Sequence, residues 1–522
     1  MMTIVSSIKK VRAVTLSVIS LALVASVYPG SNSWGSTSGP SAGIDQSQPV
    51  VYSAVAVGQT FDVFRTNSTN DFEYFQPVYD MLLTTSKTGS YVPQLALSWD
   101  VTPTSVTFKL RPGVRFQDGT NFDASAVKAN LERAMTLENS TSKTLLAAVT
   151  SIEASAPDTV KINVKDGALS LLALLANPQT PGPSYMVSPS SFDSNLATQA
   201  VGTGPYKVVS VAAGRSSVEY ELWEGSWDKR ALTGAKKLKF IVNGNSGQRL
   251  NQVIAGQADV AYIDGALAQK AKDAGLQVRV DQLNNSYYVG INRTRNAFAS
   301  LDARRVLFLG IDRQSLLDNL RFGFGQPGTQ FASKGTPGYN ASIKLEYDPD
   351  EARKLAKSSG LTRRPVEMLV WNLPSIQSFG EAVQAMLGSI GVNVKVTLAD
   401  TASLIPTWKA GKHDLLVTYV RANLGVDQTA AVNRLFSVSS PENASGPPPA
   451  DLAKLMADAT AARTVEQQEA AFAAIAGLID SQALALFLVK QGNVTIGTKR
   501  LAHFTDDTLY GVWLRGMGIA NQ

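Results

Sequence analysis

The sequence predicts an α/β fold built on a parallel or mixed sheet, and three observations carry that prediction. Between residues 366 and 420, three strand-like runs alternate with two helix-like ones. Residues 106–111 alternate Val106, Phe108 and Leu110 with Thr107, Lys109 and Arg111, the period of a half-buried strand. Helix-start chemistry stands at Asp123 and again at Asp348-Pro349-Asp350-Glu351, where a carboxylate can accept the orphan amide protons of a first turn.

Residues 50–55 read as a first strand. After residues 106–111, Pro112-Gly113 predicts a turn and Val114-Arg115-Phe116 a returning strand, a hairpin that ends at Gln117-Asp118-Gly119. Asp123 caps a helix running to about Met135, with Val127, Leu131 and Ala134 along one stripe. Pro349 suits the first turn of the next clear helix, which Gly360 ends. A strand at residues 366–371 follows, then a helix at 376–390 closed by Gly391. Alternating Val392, Val394, Val396 and Leu398 read as a strand, residues 403–410 as a helix stopped at Gly411, and residues 414–420 as a buried strand. Strands alternating with helices in this way build parallel sheets. Residues 437–449, with three successive prolines, read as a surface loop, and two Ala-rich helices follow at 451–463 and 465–479.

At 522 residues the chain has room for about three domains at roughly 150 residues each. A 44% apolar share supports a sizeable core, and a 17% charged share excludes disorder by charge excess. The absence of cysteine excludes disulfide scaffolds, thiolate metal sites, thiol nucleophiles and a lipid-modified N-terminal cysteine. Two histidines, His413 and His503, leave little for metal clusters, and no metal or other cofactor is expected. The net charge is +6, of which Lys9, Lys10 and Arg12 supply three. The remaining basic residues are scattered in pairs, a solvated mixed surface rather than a nucleic-acid footprint.

Those three basic residues precede a charge-free apolar stretch at 13–27 and then small residues, the layout of a secretory signal; the Ser/Gly-rich run after it reads as a flexible leader. An exported body is expected, held by no cysteine anchor, with the cleavage point open. Motifs of nucleotide and hydrolase chemistry are missing: there is no GxxxxGK[ST], HExxH or GxSxG. Gly323-Phe324-Gly325-Gln326-Pro327-Gly328 matches GxGxxG in letters, but a helical segment precedes it and a turn-rich one follows, so it reads as a loop.

Five blocks in order carry a resemblance. They are Val92-Pro93-Gln94-Leu95-Ala96-Leu97-Ser98-Trp99 through Gln117-Asp118-Gly119 to Val127; Gly202-Thr203-Gly204-Pro205-Tyr206; Asn292; Asp302-Ala303-Arg304-Arg305-Val306-Leu307 through Asp312-Arg313; and Tyr347-Asp348-Pro349-Asp350-Glu351-Ala352 with Ile390-Gly391-Val392. Together they resemble solute-binding protein family 5, the peptide- and nickel-type substrate-binding group of ABC importers. The resemblance implies a two-lobed periplasmic-binding-protein-like fold of the class II type with an accessory domain in the first lobe. Residues 1–44 would be signal and leader, 45–72, 201–287 and 490–522 the main domain of lobe 1, 73–200 the accessory domain, and 288–489 lobe 2. It implies no enzyme. The expected function is capture of an oligopeptide or other mid-sized polar solute by hinge closure, and the expected partners are a membrane permease with separate ATPase subunits. A monomer is expected, with no nucleic-acid partner. The alternative is an exported hydrolase on the same scaffold using a carboxylate pair, which can meet only in space.

In peptide-binding members an aspartate after the strand here read at 414–420 receives the peptide ammonium. Asn423 falls at that position; its amide supplies no counter-charge. Asp427 would take the role only if the register shifts, and Arg421 favours an anionic or polar group. Tyr419, Arg421 and Asn423 follow one strand's carboxyl end, and Trp371 and Asn372 another, where open α/β sheets present ligands. Tyr287, with Tyr288 beside it, falls at the crossover between lobes. Core packing competes with binding for each aromatic, and a surface ion pair competes for Arg421.

Overall fold

The βαβαβ run forms in the computed structural model, which describes residues 43–66, 71–86, 88–421, 427–504 and 512–521, without the side chains of 181, 281–285 and 421. The signal-like segment lies outside the described residues. The strand Val366–Trp371 has Val394–Ala399 on one side and Leu415–Arg421 on the other, both parallel to it. The helices Pro374–Ser389 and Leu404–Lys409 cross between them. Asp348 accepts the amide proton of Glu351 at 2.9 Å and Pro349 opens the helix Pro349–Ser358; Gly391 takes φ +88°, the left-handed stop the sequence called for.

These three strands form one end of an eleven-stranded sheet. Its order continues through Gln277–Ile291, Ala485–Gly497, Val260–Ile263, Val50–Ala54, Lys237–Val242 and Ser217–Leu222 to Tyr206–Val211, with the short strand Gly325–Pro327 also on Ala485–Gly497. Two long strands make the bridge. Gln277–Ile291 has 15 residues and Ala485–Gly497 has 13, so at about 3.3 Å per residue each spans roughly 40–50 Å, enough to run from one lobe into the other. Their antiparallel pairing breaks register between Gln282 and Ser286. On one side of the break Val260–Ile263 joins the pair; on the other, Leu415–Arg421 does.

Alternation along the bridge sorts side chains into two cores. Tyr287 and Val289 enter the cluster built on Val306, Leu307, Phe379 and Val383, whereas Tyr288 enters the opposite one with Phe331, Phe472, Ile475 and Phe487. With both faces covered, the sheet interior is largely apolar, which is why residues 414–420 read as continuous rather than alternating. The first lobe has its own large core, including Tyr52, Phe61, Phe75, Phe108 and Phe240.

A separate four-stranded antiparallel sheet holds Ala96–Thr102, Ser105–Leu110, Thr159–Val164 and Val149–Ala156 in that order. Here one expectation is corrected. Residues 114–116 do not return along the strand before Pro112-Gly113. That strand's two edges are already occupied by Ala96–Thr102 and Thr159–Val164. The chain turns away at Gly113 (φ +73°), and only Arg115 and Asn121 form an isolated bridge around the Asp118-Gly119 turn. Asp123 does cap the helix Ala124–Thr136, accepting from the Ala126 amide at 3.0 Å. The glycine-rich stretch at 323–328 also departs from a plain loop, since Gly325–Pro327 pairs with the bridge strand; the helix that phosphate binding needs does not follow it.

Residues 512–520 close the first lobe. Gln76 donates to the Val512 carbonyl at 2.7 Å and accepts from the Leu514 amide at 3.0 Å. Arg515 pairs with the fully buried Asp80, whose other oxygen accepts from Thr203 and Trp227. Gly204 lies against the same segment: a Cβ there would stand 2.6 Å from the backbone of Val78, so only glycine allows the approach.

Candidate functional site

The bridge strands and the carboxyl ends of the parallel strands meet at one edge of the second lobe. Trp371 and Tyr419, each on the last turns of its strand, stack with ring centroids 5.4 Å apart and planes 13° from parallel. Trp371 donates its indole N–H to Thr401 at 3.2 Å. Tyr419 stands directly across from Tyr287 in the antiparallel pairing, so the two share a face. Tyr287 in turn stacks on Phe379 of the helix Pro374–Ser389, with centroids 4.3 Å apart and planes 22° from parallel. The result is a row of two stacked pairs, Trp371–Tyr419 half-buried and Tyr287–Phe379 buried.

A cation lies over the buried end of the row. The guanidinium carbon of Arg321, at the end of the helix Arg313–Arg321, stands 4.5 Å from the Tyr287 ring centre and 5.2 Å from that of Phe379. Arg321 donates to the Tyr287 hydroxyl, which donates to Gln491 at 3.0 Å. The first lobe comes close here. A Cβ built on Gly265 would lie 3.3 Å from Phe324 and 3.5 Å from the Arg321 carbonyl, and Lys272 places its ammonium 5.5 Å from the Phe324 ring centre. Burial pushes the hydroxyl of Tyr262 up to about 12, and Asp264 and Tyr287 act in the same direction.

Of the residues singled out in the sequence, the fold brings Trp371, Tyr419 and Tyr287 together. Asn372 is exposed beside Trp371, its amide proton held by the Ala399 carbonyl at 2.8 Å. Arg421 sits in register with Asn285 where the strand reaches the bridge, and its side chain is outside the described residues. Asn423 also lies outside them. Asp427 is buried at the head of the helix Thr429–Phe436, where it accepts the Thr429 amide proton at 2.7 Å; among the described residues it has no cationic partner. Tyr288 packs in the core.

Arg321, Phe379 and Gln491 were not legible beforehand. An arginine in a last helical turn reads as a partner of the helix dipole, and nothing local marks its approach to a tyrosine 34 residues earlier. The described residues hold no group of His, Asp or Glu arranged to bind a metal ion. They also contain no helix long and apolar enough to cross a membrane.

Two α/β lobes bridged by two long strands, with aromatic rings and a cation at the bridge, define a ligand-capturing binding protein of the importer type. The family model "Bacterial extracellular solute-binding proteins, family 5 Middle" matches residues 90–442, and the chain belongs to that family. It is similar to the glutathione-binding protein GsiB of Escherichia coli K12, at 28% identity over 365 residues, 66% of this chain and 69% of that one. Its fold matches the unliganded open form of the periplasmic murein tripeptide binding protein MppA with a TM-score of 0.80 at 18% identity, covering 93% of this chain and 99% of that one. A nickel ABC transporter protein from Bacillus halodurans matches with a TM-score of 0.78 at 19% identity, covering 90% and 100%. Members of this family are periplasmic substrate-binding proteins of ABC importers: they bind a small molecule or peptide, work with a membrane permease, and are not enzymes.

Proposed function

We propose that this chain captures an oligopeptide or another mid-sized polar solute between its lobes and delivers it unchanged to a permease served by separate ATPase subunits. The observation that carries this reading is the two stacked ring pairs at the bridge, where closure of one lobe on the other would exclude water from whatever lies against them. Trp371, Tyr419 and Tyr287 would supply apolar walls and Asn372 a polar rim. Arg421 and Asn423, on the segment leaving the strand, would contact polar groups of the solute. Asp427, a buried carboxylate lacking a cation among the described residues, would receive an ammonium group. Similarity to a glutathione-binding and a murein tripeptide-binding protein favours short peptides over nickel chelates, as does the scarcity of histidine.

The same proposal divides the chain into main-domain segments at 45–72, 201–287 and 490–522, an accessory domain at 73–200 and a second lobe at 288–489, acting as a monomer without a cysteine-linked anchor. The separate four-stranded sheet and the register break in the bridge favour that division. Native mass spectrometry of the purified chain tests the function: a bound peptide-sized solute, lost on unfolding and restored on adding it back, is expected. A protein that arrives empty and shows no thermal stabilisation by any di- to pentapeptide would overturn the peptide reading.

A further inference from the structure

Many arginines in this protein have one of two kinds of partner. Arg295, Arg305, Arg434 and Arg515 each pair with a carboxylate, Asp414, Glu346, Glu442 and Asp80 respectively. Arg304 and Arg313 lack a carboxylate but direct their donors at three main-chain carbonyls each. Arg215, which donates to the Ala197 carbonyl and lies over the Phe61 ring inside the first lobe, fits neither pattern, and nor does Arg321 at the seam. Its contacts are the Tyr287 hydroxyl and two marginal carbonyls, Leu320 at 3.3 Å and Ser375 at 3.5 Å. Its Nε is buried and has no hydrogen-bond partner, and among the described residues no carboxylate pairs with it. A guanidinium carries five donors in a planar fork and does not lose its proton. This one therefore offers a cationic fork at the seam between lobes, with ring faces below it and, among the described residues, no anion beside it.

We infer that Arg321 is an anion anchor of the interlobe site, and that the captured solute presents a carboxylate or similar anionic group to it. This rests on the solute-capture reading above and names the solute's chemistry. Stacking on Tyr287 and Phe379 fixes the plane of the fork, so little rotamer freedom is left to lose when an anion arrives. The rings also displace water from one face, which strengthens the ion pair formed on the open edge. The Tyr287–Gln491 hydrogen bond holds the lower ring from the bridge strand, so the anchor is referenced to the hinge itself. A charge-assisted bidentate contact of this kind is worth tenfold to a hundredfold in affinity over its neutral counterpart.

The test uses the full folded chain and matched solute pairs: tri- and tetra-alanine against their C-terminal amides, and succinate against succinamide. Thermal shift and calorimetric titration are run on wild type, Arg321→Gln and Arg321→Lys. Wild type is expected to prefer each acid over its amide by at least tenfold. Arg321→Gln should abolish that preference while keeping amide affinity within about threefold, and Arg321→Lys should retain part of it. The melting temperature without solute reports whether the variants fold, and the lysine variant keeps the test valid if loss of the stacked plane disturbs the glutamine one. Arg321→Gln binding the acids as tightly as wild type, or wild type binding amides and acids alike, overturns the anchor while solute capture stands. Failure of every member of both series to stabilise wild type overturns capture of short peptides and small acids, and the anchor with it.

Discussion

Lys490 lies in the middle of the bridge strand Ala485–Gly497, opposite Ser286 on one side and Gln326 on the other. It is 4% exposed, its ammonium donates to the Phe331 carbonyl, and the Ser286 hydroxyl across from it is buried without a partner. Burial pushes its pKa down from 10.5 to about 7. Between those values the unfolded chain holds a proton that the folded chain does not, so stability rises with pH across the window, and the penalty is complete below pH 7. The interval is roughly 3.5 pH units, and at about 1.4 kcal/mol per unit the ceiling is ~5 kcal/mol. Lys490→Met removes that penalty and gives up the hydrogen bond to Phe331, worth about 1 kcal/mol. The variant should therefore be more stable than wild type by about 2–4 kcal/mol at pH 6.5, with the advantage shrinking toward pH 10. Denaturant unfolding followed by tryptophan fluorescence at pH 6.5, 8 and 10 measures the difference between the two proteins, in which the other lysines cancel. A difference that does not change with pH, or that grows toward pH 10, would refute the assignment of a neutralised lysine at the bridge.

Trp371→Ala should weaken solute affinity about tenfold, because it removes one ring of the stacked pair, while the folded content stays unchanged by circular dichroism. Arg515→Ala leaves Asp80 buried without its cation and should cost about 3–5 kcal/mol in denaturant unfolding; a loss under 1 kcal/mol would show the pair to be solvated. Gly204→Ala drives a methyl into the Val78 backbone and should destabilise by more than about 2 kcal/mol, whereas the neutral swap Gly214→Ala, whose Cβ meets nothing within 4 Å but whose φ is +63°, should cost only about 1 kcal/mol.

Local chemistry made much of the second lobe legible. The strands and helices between Pro349 and Arg421 are each set by a short period and by a cap or stop, such as Asp348 at a helix start and Gly360, Gly391 and Gly411 at helix ends, that acts within one turn. The misread hairpin shows where this stops. Pro112-Gly113 is a true turn, but which strand pairs with residues 105–110 is decided by residues 96–102 and 159–164, and a turn signal carries no record of an occupied edge. The site divides in the same way. Trp371 and Tyr419 were recognisable because both end parallel strands, whereas Arg321 and Gln491 reach Tyr287 from 34 and 204 residues away. A long-range meeting of this kind leaves no local period.

Residues 512–520 reach back to Gln76, Tyr79 and Asp80 and complete a core that most of the first lobe surrounds. That core couples segments 435 to 439 residues apart: until residues 512–515 dock, Arg515 cannot reach Asp80 and the Gln76 side chain lacks both of its main-chain partners.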